Sequence, residues 1–468
     1  MTDAPSRRRV LPMAHAVLCV LCALAGAAAA PAAAQVLVQL HDAAVAIDPA
    51  VTAAQAQLRA AEERLVQARA AFGPTATLGI NQSETRYREA PASDLRRFHG
   101  WQAQLQVTQP LIRTALVPGY DAAQAQLSQL EAALQQARSE AIVRIVEAGF
   151  EVLKARDAVA FVQAQQLAAQ EQLASARRSF TVGTVSVIDV REAEAKIDTV
   201  NAQGIAARAE LELRRQSLAE MVGADTPEWL ERGLRGDRMP PLPAPSVLQW
   251  LTDALAQSPQ LRQAQAALVA AEAEVRKAWQ AHAPVMDLTY NYTRSQDNGT
   301  VTSFLPRRGD GSAVGLNFNL PLFASGATQS KVREAMALRD KAASDVDASR
   351  RAVQLSVRQA FTSTLSQTSL AQGLETANRS LEEALRANRR GYEVGMKVNT
   401  DVLDAQSKLF EARRDLSRAR YDAWLNYFRL RDASGHLGVA DVQLLDALLP
   451  VVQALAPRGR GRGSAQQP

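Results

Sequence analysis

Cysteine is nearly missing from this chain: 468 residues contain two, Cys19 and Cys22. Both lie in an N-terminal segment that reads as a leader, so the expected mature chain has no disulfide, no thiolate nucleophile and no cysteine metal site. Neither follows the small residue a lipoprotein cleavage box requires, because Leu18 and Leu21 precede them. Histidine is scarce too. His41, His99, His282 and His436 are scattered without metal-ligand spacing, and no phosphate loop, Gly-x-Ser-x-Gly or His-Glu-x-x-His occurs. Hence no catalytic residue, cofactor or metal is expected, and the chain is not read as an enzyme. Aromatics make up 5%, too few for a compact core of bulky side chains. Alanine, glutamine and arginine instead suit long, closely packed helices. Beyond the leader no 18 successive residues are apolar, which excludes a transmembrane helix but not a β-barrel. The body also lacks an excess of either charge. Of the net +5, residues 1–34 supply +2, and Arg458, Arg460 and Arg462 in the tail supply +3. No basic footprint for nucleic acid remains between them. The Gly-Arg tail reads either as an RNA-contacting element or as a solvated, disordered end.

The leader itself has Arg7, Arg8 and Arg9, an apolar stretch from Leu11 to Ala30, and Ala32-Ala33-Ala34 before Gln35. That is the pattern of a cleaved signal peptide, residues 1–34, rather than a membrane anchor. After it the chain is written twice. Arg178-Ser179-Phe180-Thr181-Val182-Gly183 returns as Arg390-Gly391-Tyr392-Glu393-Val394-Gly395, an offset of 212. Ile188-Asp189-Val190 returns as Thr400-Asp401-Val402, and Pro74, Pro110, Phe150 and Gly223 recur near Pro284, Pro321, Phe361 and Gly435. So long a period means a duplicated half-protein rather than a solenoid.

Residues 35–222 form the first expected repeat: a helix over 49–72, strands at about 75–85 and 100–109, a long helix at about 115–180 and a return helix at about 186–221. A Pro-rich insert, 223–245, carries Pro240, Pro241, Pro243 and Pro245. Residues 246–436 repeat the plan, with a helix over 246–282, strands at about 285–294 and 313–320, and helices at about 326–390 and 399–434. Residues 437–468 form a C-terminal segment and tail. The first long helix carries the stripe Leu127, Leu130, Leu134, Ala137, Ala141, Ile145, Ala148, Val152, Ala155, Val159, Val162. Its steps of three and four have coiled-coil periodicity.

In the strands, Trp101, Ala103, Leu105 and Val107 alternate with Gln102, Gln104, Gln106 and Thr108, and Val314, Leu316, Phe318 and Leu320 with Gly315, Asn317 and Asn319. The partners, Ala76, Leu78 and Ile80 in one half and Met286, Leu288, Tyr290 and Tyr292 in the other, alternate more weakly. One face is apolar and the other amide-rich, as in lipid-facing barrel strands joined by loops 85–99 and 295–312. Two soluble hairpins fit the same pattern. Four strands cannot close a barrel, and open edges in lipid are costly. Strands in a membrane would therefore require two, three or more copies of the chain.

With its duplicated helix-strand-strand-helix-turn-helix plan, its proline exits and its paired Val-Gly turns, the chain resembles the TolC family of outer-membrane exit ducts. The most specific stretch is Gly391-Tyr392-Glu393-Val394-Gly395 through Asp401-Val402-Leu403-Asp404-Ala405. The resemblance implies a mixed α and β membrane protein: a homotrimer whose four strands per chain build a 12-stranded β-barrel, continued by a periplasmic α-barrel with an equatorial belt. It implies two partners, a periplasmic adaptor protein and an inner-membrane ABC transporter or other pump. The adaptor would dock at the tips, Val182, Gly183, Thr184, Val394, Gly395 and Met396. Asp401 and Asp404 share one helix face. In one chain they complement the helix dipole; in a trimer they would form a six-carboxylate, cation-selective ring. Tyr392 and Lys397 resemble the family's gate-latching tyrosine and arginine, and Asp189 a latch acceptor, although Ser186-x-x-Asp189 also reads as a capping box. Lys397 lacks arginine's planar fork, and Ile188 stands where a threonine is expected, so a weaker latch is implied. The implied role is a protein-secretion duct of type I systems, with multidrug efflux as the alternative. A trimeric coiled-coil surface protein would explain the heptads but not the strand pairs.

Overall fold

Local stop and start signals divide the chain into seven α-helices, one 3-10 turn and four strands in a computed structural model, which describes residues 48–88, 95–223, 239–240, 246–438, 440–441 and 443. The leader 1–34, most of the Pro-rich insert and the tail fall outside the described residues.

Helix α1 spans Pro49–Ala70. Pro49 has the preset φ of a first helical residue, and the Asp48 carboxylate takes Ala50 N at 2.8 Å and Val51 N at 3.2 Å. Burial opposes the charge on Asp48. The Arg144 guanidinium, 2.7 Å away on the next helix, and the two backbone donors nonetheless hold its pKa below the ordinary value. Two helices dominate the rest: α2, Leu116–Thr181, with 66 residues, and α6, Ala327–Glu393, with 67. At 1.5 Å per residue each is a rod of about 100 Å. Each turns back into a half-length helix, α3 (Val187–Val222) and α7 (Asn399–Ala433). The remaining length is flanked by α1 on α2 and by α4 (Val247–Gln257) and α5 (Pro259–Trp279) on α6; α5 also packs on α2.

The helix expected over 246–282 is therefore two helices. Ser258 has left the helical region (ψ 122°) and its Oγ accepts from Leu261 N, with Pro259 opening α5. The proline restricts the residue before it. The same rule ends α1 before Pro74.

Burial on α6 recurs at Val357, Thr364, Ala371, Asn378 and Leu385, a strict seven-residue repeat that packs on α7. On α2 no residue of the expected stripe is fully exposed, and Leu134, Ala141, Ile145, Val152 and Ala155 are buried. The stripe is only half of the packing surface. Ile142, Val146, Phe150 and Leu153 form a second one, because α2 faces both α3 and α7. There the scarce aromatics collect: Phe150, Tyr421, Trp424, Tyr427 and Phe428 build the largest core, and Trp424 is 2% exposed. Asp157 of α2 accepts from Ser417 Oγ and Tyr421 Oη of α7, joining the two repeats.

The four strands, β1 (Thr75–Arg88), β2 (Leu95–Arg113), β3 (Val285–Asp297) and β4 (Arg307–Asn319), form one antiparallel sheet in sequence order. All are longer than expected, so loops 85–99 and 295–312 shrink to short connections. The backbone ladder runs on past the point where apolar alternation stops. β2 also continues through Pro110, with a register shift between Pro110 and Ile112 that accommodates the missing N–H. Register places Leu78 opposite Leu105, Leu105 opposite Tyr292, Tyr290 opposite Val314 and Leu288 opposite Leu316. Directly opposed residues share a face. One face is thus apolar across all four strands and open to its surroundings, with Ile80 73% and Val314 72% exposed. The other carries amides and hydroxyls, including Gln104 Nε2 donating to Asn291 Oδ1 and Asn317 Nδ2 to Thr289 Oγ1. β1 and β4 are the sheet's two edges. None of the described helices is long and apolar enough to cross a membrane.

Candidate functional site

The tip opposite the sheet is made by the two Val-Gly turns, and both have one geometry. Gly183 and Gly395 adopt φ of 77° and 76°, a conformation that costs a side chain roughly 1–2 kcal/mol. In the first turn Gly183 N donates to Phe180 O and Thr184 N to Ser179 O; in the second Gly395 N donates to Tyr392 O and Met396 N to Gly391 O. This is a Schellman closure, repeated at both turns, which satisfies the last carbonyls of each long helix. The duplication in sequence is thus a duplication of backbone hydrogen bonding.

The return helices start differently. Ser186 Oγ accepts from Ile188 N at 3.2 Å, and the Asp189 carboxylate takes Ser186 N at 2.9 Å, a capping box. Helix α7 has no side-chain cap; Val398 occupies that position. Asn399 instead turns inward. It is 0% exposed, its Oδ1 accepts from Gln172 Nε2 on α2, and its Nδ2 donates to the Asp189 carbonyl on α3 at 3.4 Å. Thr400 Oγ1 adds a bond to Glu192 at 2.8 Å. One amide thereby ties the second hairpin to both helices of the first. From sequence Asn399 would pass for an ordinary helix cap; only its burial marks it.

Asn399 lines a groove of about 780 Å³ together with Gln172, Ser179, Asp189, Arg389, Tyr392 and Lys397. Tyr392 and Asp189 are brought together across it without bonding. Burial raises the Tyr392 pKa and the Asp189 charge raises it further, while the nearby Ser179 hydroxyl offsets a little. The Tyr392 Oη is buried and makes no well-formed hydrogen bond among the described residues. Lys397 points elsewhere. Its Nζ lies 3.3 Å from Asp401 Oδ2, and its stem crosses Gly391, where an added Cβ would come within 2.8 Å. Asp404, one turn on from Asp401, is exposed.

Around the groove the outermost residues are apolar and uncovered in the single chain: Val182 is 73% exposed, Met396 79%, and Phe180, Ile188, Val394 and Val398 are exposed as well. Such a patch needs a partner surface. Among the described residues, no cluster of His, Cys, Asp or Glu is arranged to hold a metal ion.

Comparison with known proteins agrees with this architecture. Residues 40–224 and 250–436 match the family model for outer membrane efflux proteins. The chain is 29% identical over 430 residues to the outer membrane protein TolC of Vibrio cholerae serotype O1, covering 90% of this chain and 95% of that one. It is 28% identical over 354 residues to the alkaline protease secretion protein AprF of Pseudomonas aeruginosa, covering 75% and 73%. The crystal structure of CusC superposes with a TM-score of 0.75 at 17% identity, covering 85% of this chain and 92% of that one.

Proposed function

Because this chain belongs to the outer membrane efflux protein family, and hence to the outer-membrane channels, we propose that it is the exit duct of a type I protein-secretion machine. The observation that carries the duct is the sheet. It has one apolar face, one amide-lined face and two unpaired edges. In lipid, unpaired backbone groups cost several kcal/mol each. The economical solution is for β4 of one copy to pair with β1 of the next, and three copies give a closed 12-stranded barrel whose amide face lines water.

Below the barrel, three copies of the helical hairpins continue the tube to the tips. There the exposed apolar rim built on Val182, Val394 and Met396 docks a periplasmic adaptor, which connects the duct to an inner-membrane pump. Asp401 and Asp404 would form an acidic ring at the mouth, a cation-selective arrangement. Within each chain Lys397 partly neutralises Asp401, which leaves Asp404 as the less compensated charge. Tyr392, Asp189 and Lys397 form the latch region, held by the Asn399 clip rather than by a dense set of side-chain bonds.

A protein cargo is supported by the alkaline protease secretion relative. Multidrug efflux is the second reading, on the strength of the efflux-protein family description. Deleting the gene decides between them: loss of a secreted protein from the medium supports secretion, whereas drug hypersensitivity with an unchanged set of secreted proteins refutes it. The duct itself is tested in planar bilayers, where the purified protein should conduct, prefer cations, and lose that preference in Asp401→Ala/Asp404→Ala.

A further inference from the structure

Past the apolar band, at the hairpin end of the sheet, the outward face changes character in a fixed order. Along β3 the residues on that face are Leu288, Tyr290, Tyr292 and then Arg294. Along β2 they are Val107, Leu105, Ala103, Trp101, His99 and then Arg97. On these two strands apolar residues give way to aromatics and then to arginine, in steps of about 7 Å. β1 and β4 add Arg86, Arg88 and Arg308 on the same face, all exposed.

Against these five arginines the outward face offers two carboxylates in the described residues, Glu84 and Asp310. Glu84 pairs with Arg86 at 3.0 Å. Arg88, Arg97, Arg294 and Arg308 make no ion-pair contact among the described residues, although register sets Asp310 directly opposite Arg294 on the same face. The intervening residues 89–94 bring Glu89 and Asp94 in sequence. Register also sets Arg86 directly opposite Arg97. Opposed like charges destabilise a strand pair, and the single carboxylate beside these two, Glu84, balances only one of them. The opposite end of the sheet shows no such excess: Arg113 there is matched by Asp287 at 2.8 Å. Every cation in the four strands is arginine and none is lysine, the choice suited to forked binding of phosphate oxygens.

We propose that this arginine collar binds the phosphate groups of the phosphorylated glycolipid that forms the outer leaflet, fixing the depth of the barrel in the membrane. The inference rests on the sheet spanning the outer membrane, with its hairpin end outward and its helices in the periplasm. Along β2 and along β3 the aromatics sit where acyl chains end and the arginine that follows them reaches the headgroup phosphates; across the ladder the arginines spread over a band, with Arg294 opposite Ala103 and Arg97 six residues further out.

The test is native mass spectrometry of the full-length assembled protein in detergent, titrated with bis-phosphorylated lipid A, with its dephosphorylated form, or with inorganic phosphate. The wild type should hold the phosphorylated lipid at least about tenfold more tightly than the dephosphorylated one. Arg86→Gln/Arg97→Gln/Arg294→Gln/Arg308→Gln should abolish that preference, and the same four changed to lysine should keep part of it. Arg97→Gln and Arg294→Gln singly, which leave the apolar band intact, should each reduce it. Equal binding of the two lipids, unchanged preference in the variants, or displacement of the lipid by an equal concentration of inorganic phosphate would overturn the collar. Bilayer conductance separates the two readings: a conducting wild type without phosphate preference refutes the collar alone, whereas a wild type that never forms a conducting assembly refutes the duct and the collar together.

Discussion

Replacing Asn399 by alanine is the most direct test of how the tip is held together. The side chain is wholly buried and makes two bonds, one to the Gln172 amide of α2 and one to the Asp189 carbonyl of α3. Each is worth about 1 kcal/mol net, and the partly buried Gln172 amide left behind adds up to about 1 kcal/mol. Alanine should therefore weaken the contact between the two hairpins by about 2–3 kcal/mol per chain. That corresponds to a shift of roughly 30- to 150-fold between engaged and separated tips. The neighbouring Thr400–Glu192 bond is exposed and cannot compensate. In planar bilayers the variant should show larger or more frequent open events than the wild type. Amide exchange at the start of α7 should quicken by a comparable factor. Asn399→Asp keeps an acceptor for Gln172 but loses the donor and buries a carboxylate, so it should open the tip at least as much. If conductance and exchange at the tip match the wild type in both variants, the amide clip does not hold the gate and the reasoning fails.

Gly435 and Gly183 share a positive φ but differ in surroundings. A Cβ on Gly435 would lie 2.7 Å from Gln257 O, while one on Gly183 meets nothing within 4 Å. Gly435→Ala should cost about 3 kcal/mol or more, and Gly183→Ala about 1 kcal/mol; equal thermal midpoints for the two would contradict this. Burial, reinforced by Glu140, raises the pKa of Asp432 from 3.8 to about 6. The folded state then binds the proton more tightly than the unfolded one, so stability falls as pH rises from about 4 to about 6, by about 3 kcal/mol in all. Denaturation midpoints at pH 5 and 7.5 should differ in the wild type and converge in Asp432→Asn; parallel pH slopes would rule the effect out.

The repeat at an offset of 212 residues, the long coiled-coil helices and the alternating strands were all legible in the order of residue types. Hydrophobic periodicity and turn glycines are local signals that neighbours along the chain establish. The break at Ser258-Pro259 was equally local and was missed only because the apolar pattern runs on across it. Strand ends were not legible, since backbone pairing continues through Arg86 and Arg88, where side-chain alternation no longer reports it. The second stripe on α2 was not read from the sequence, because it matters only once α2 faces two neighbours, α3 and α7. Site residues divide in the same way. Asp189 as a capping residue is written in Ser186-x-x-Asp189, and Lys397 reaching Asp401 is an equally local pair four residues apart, whereas Asn399 serving as a clip instead of a cap depends on groups more than 200 residues away in the chain. Sequence thus determined which segments become helix and strand and that each occurs twice. Only the tertiary structure decided which faces meet, because burial and cross-hairpin hydrogen bonds arise from contacts that no local pattern encodes.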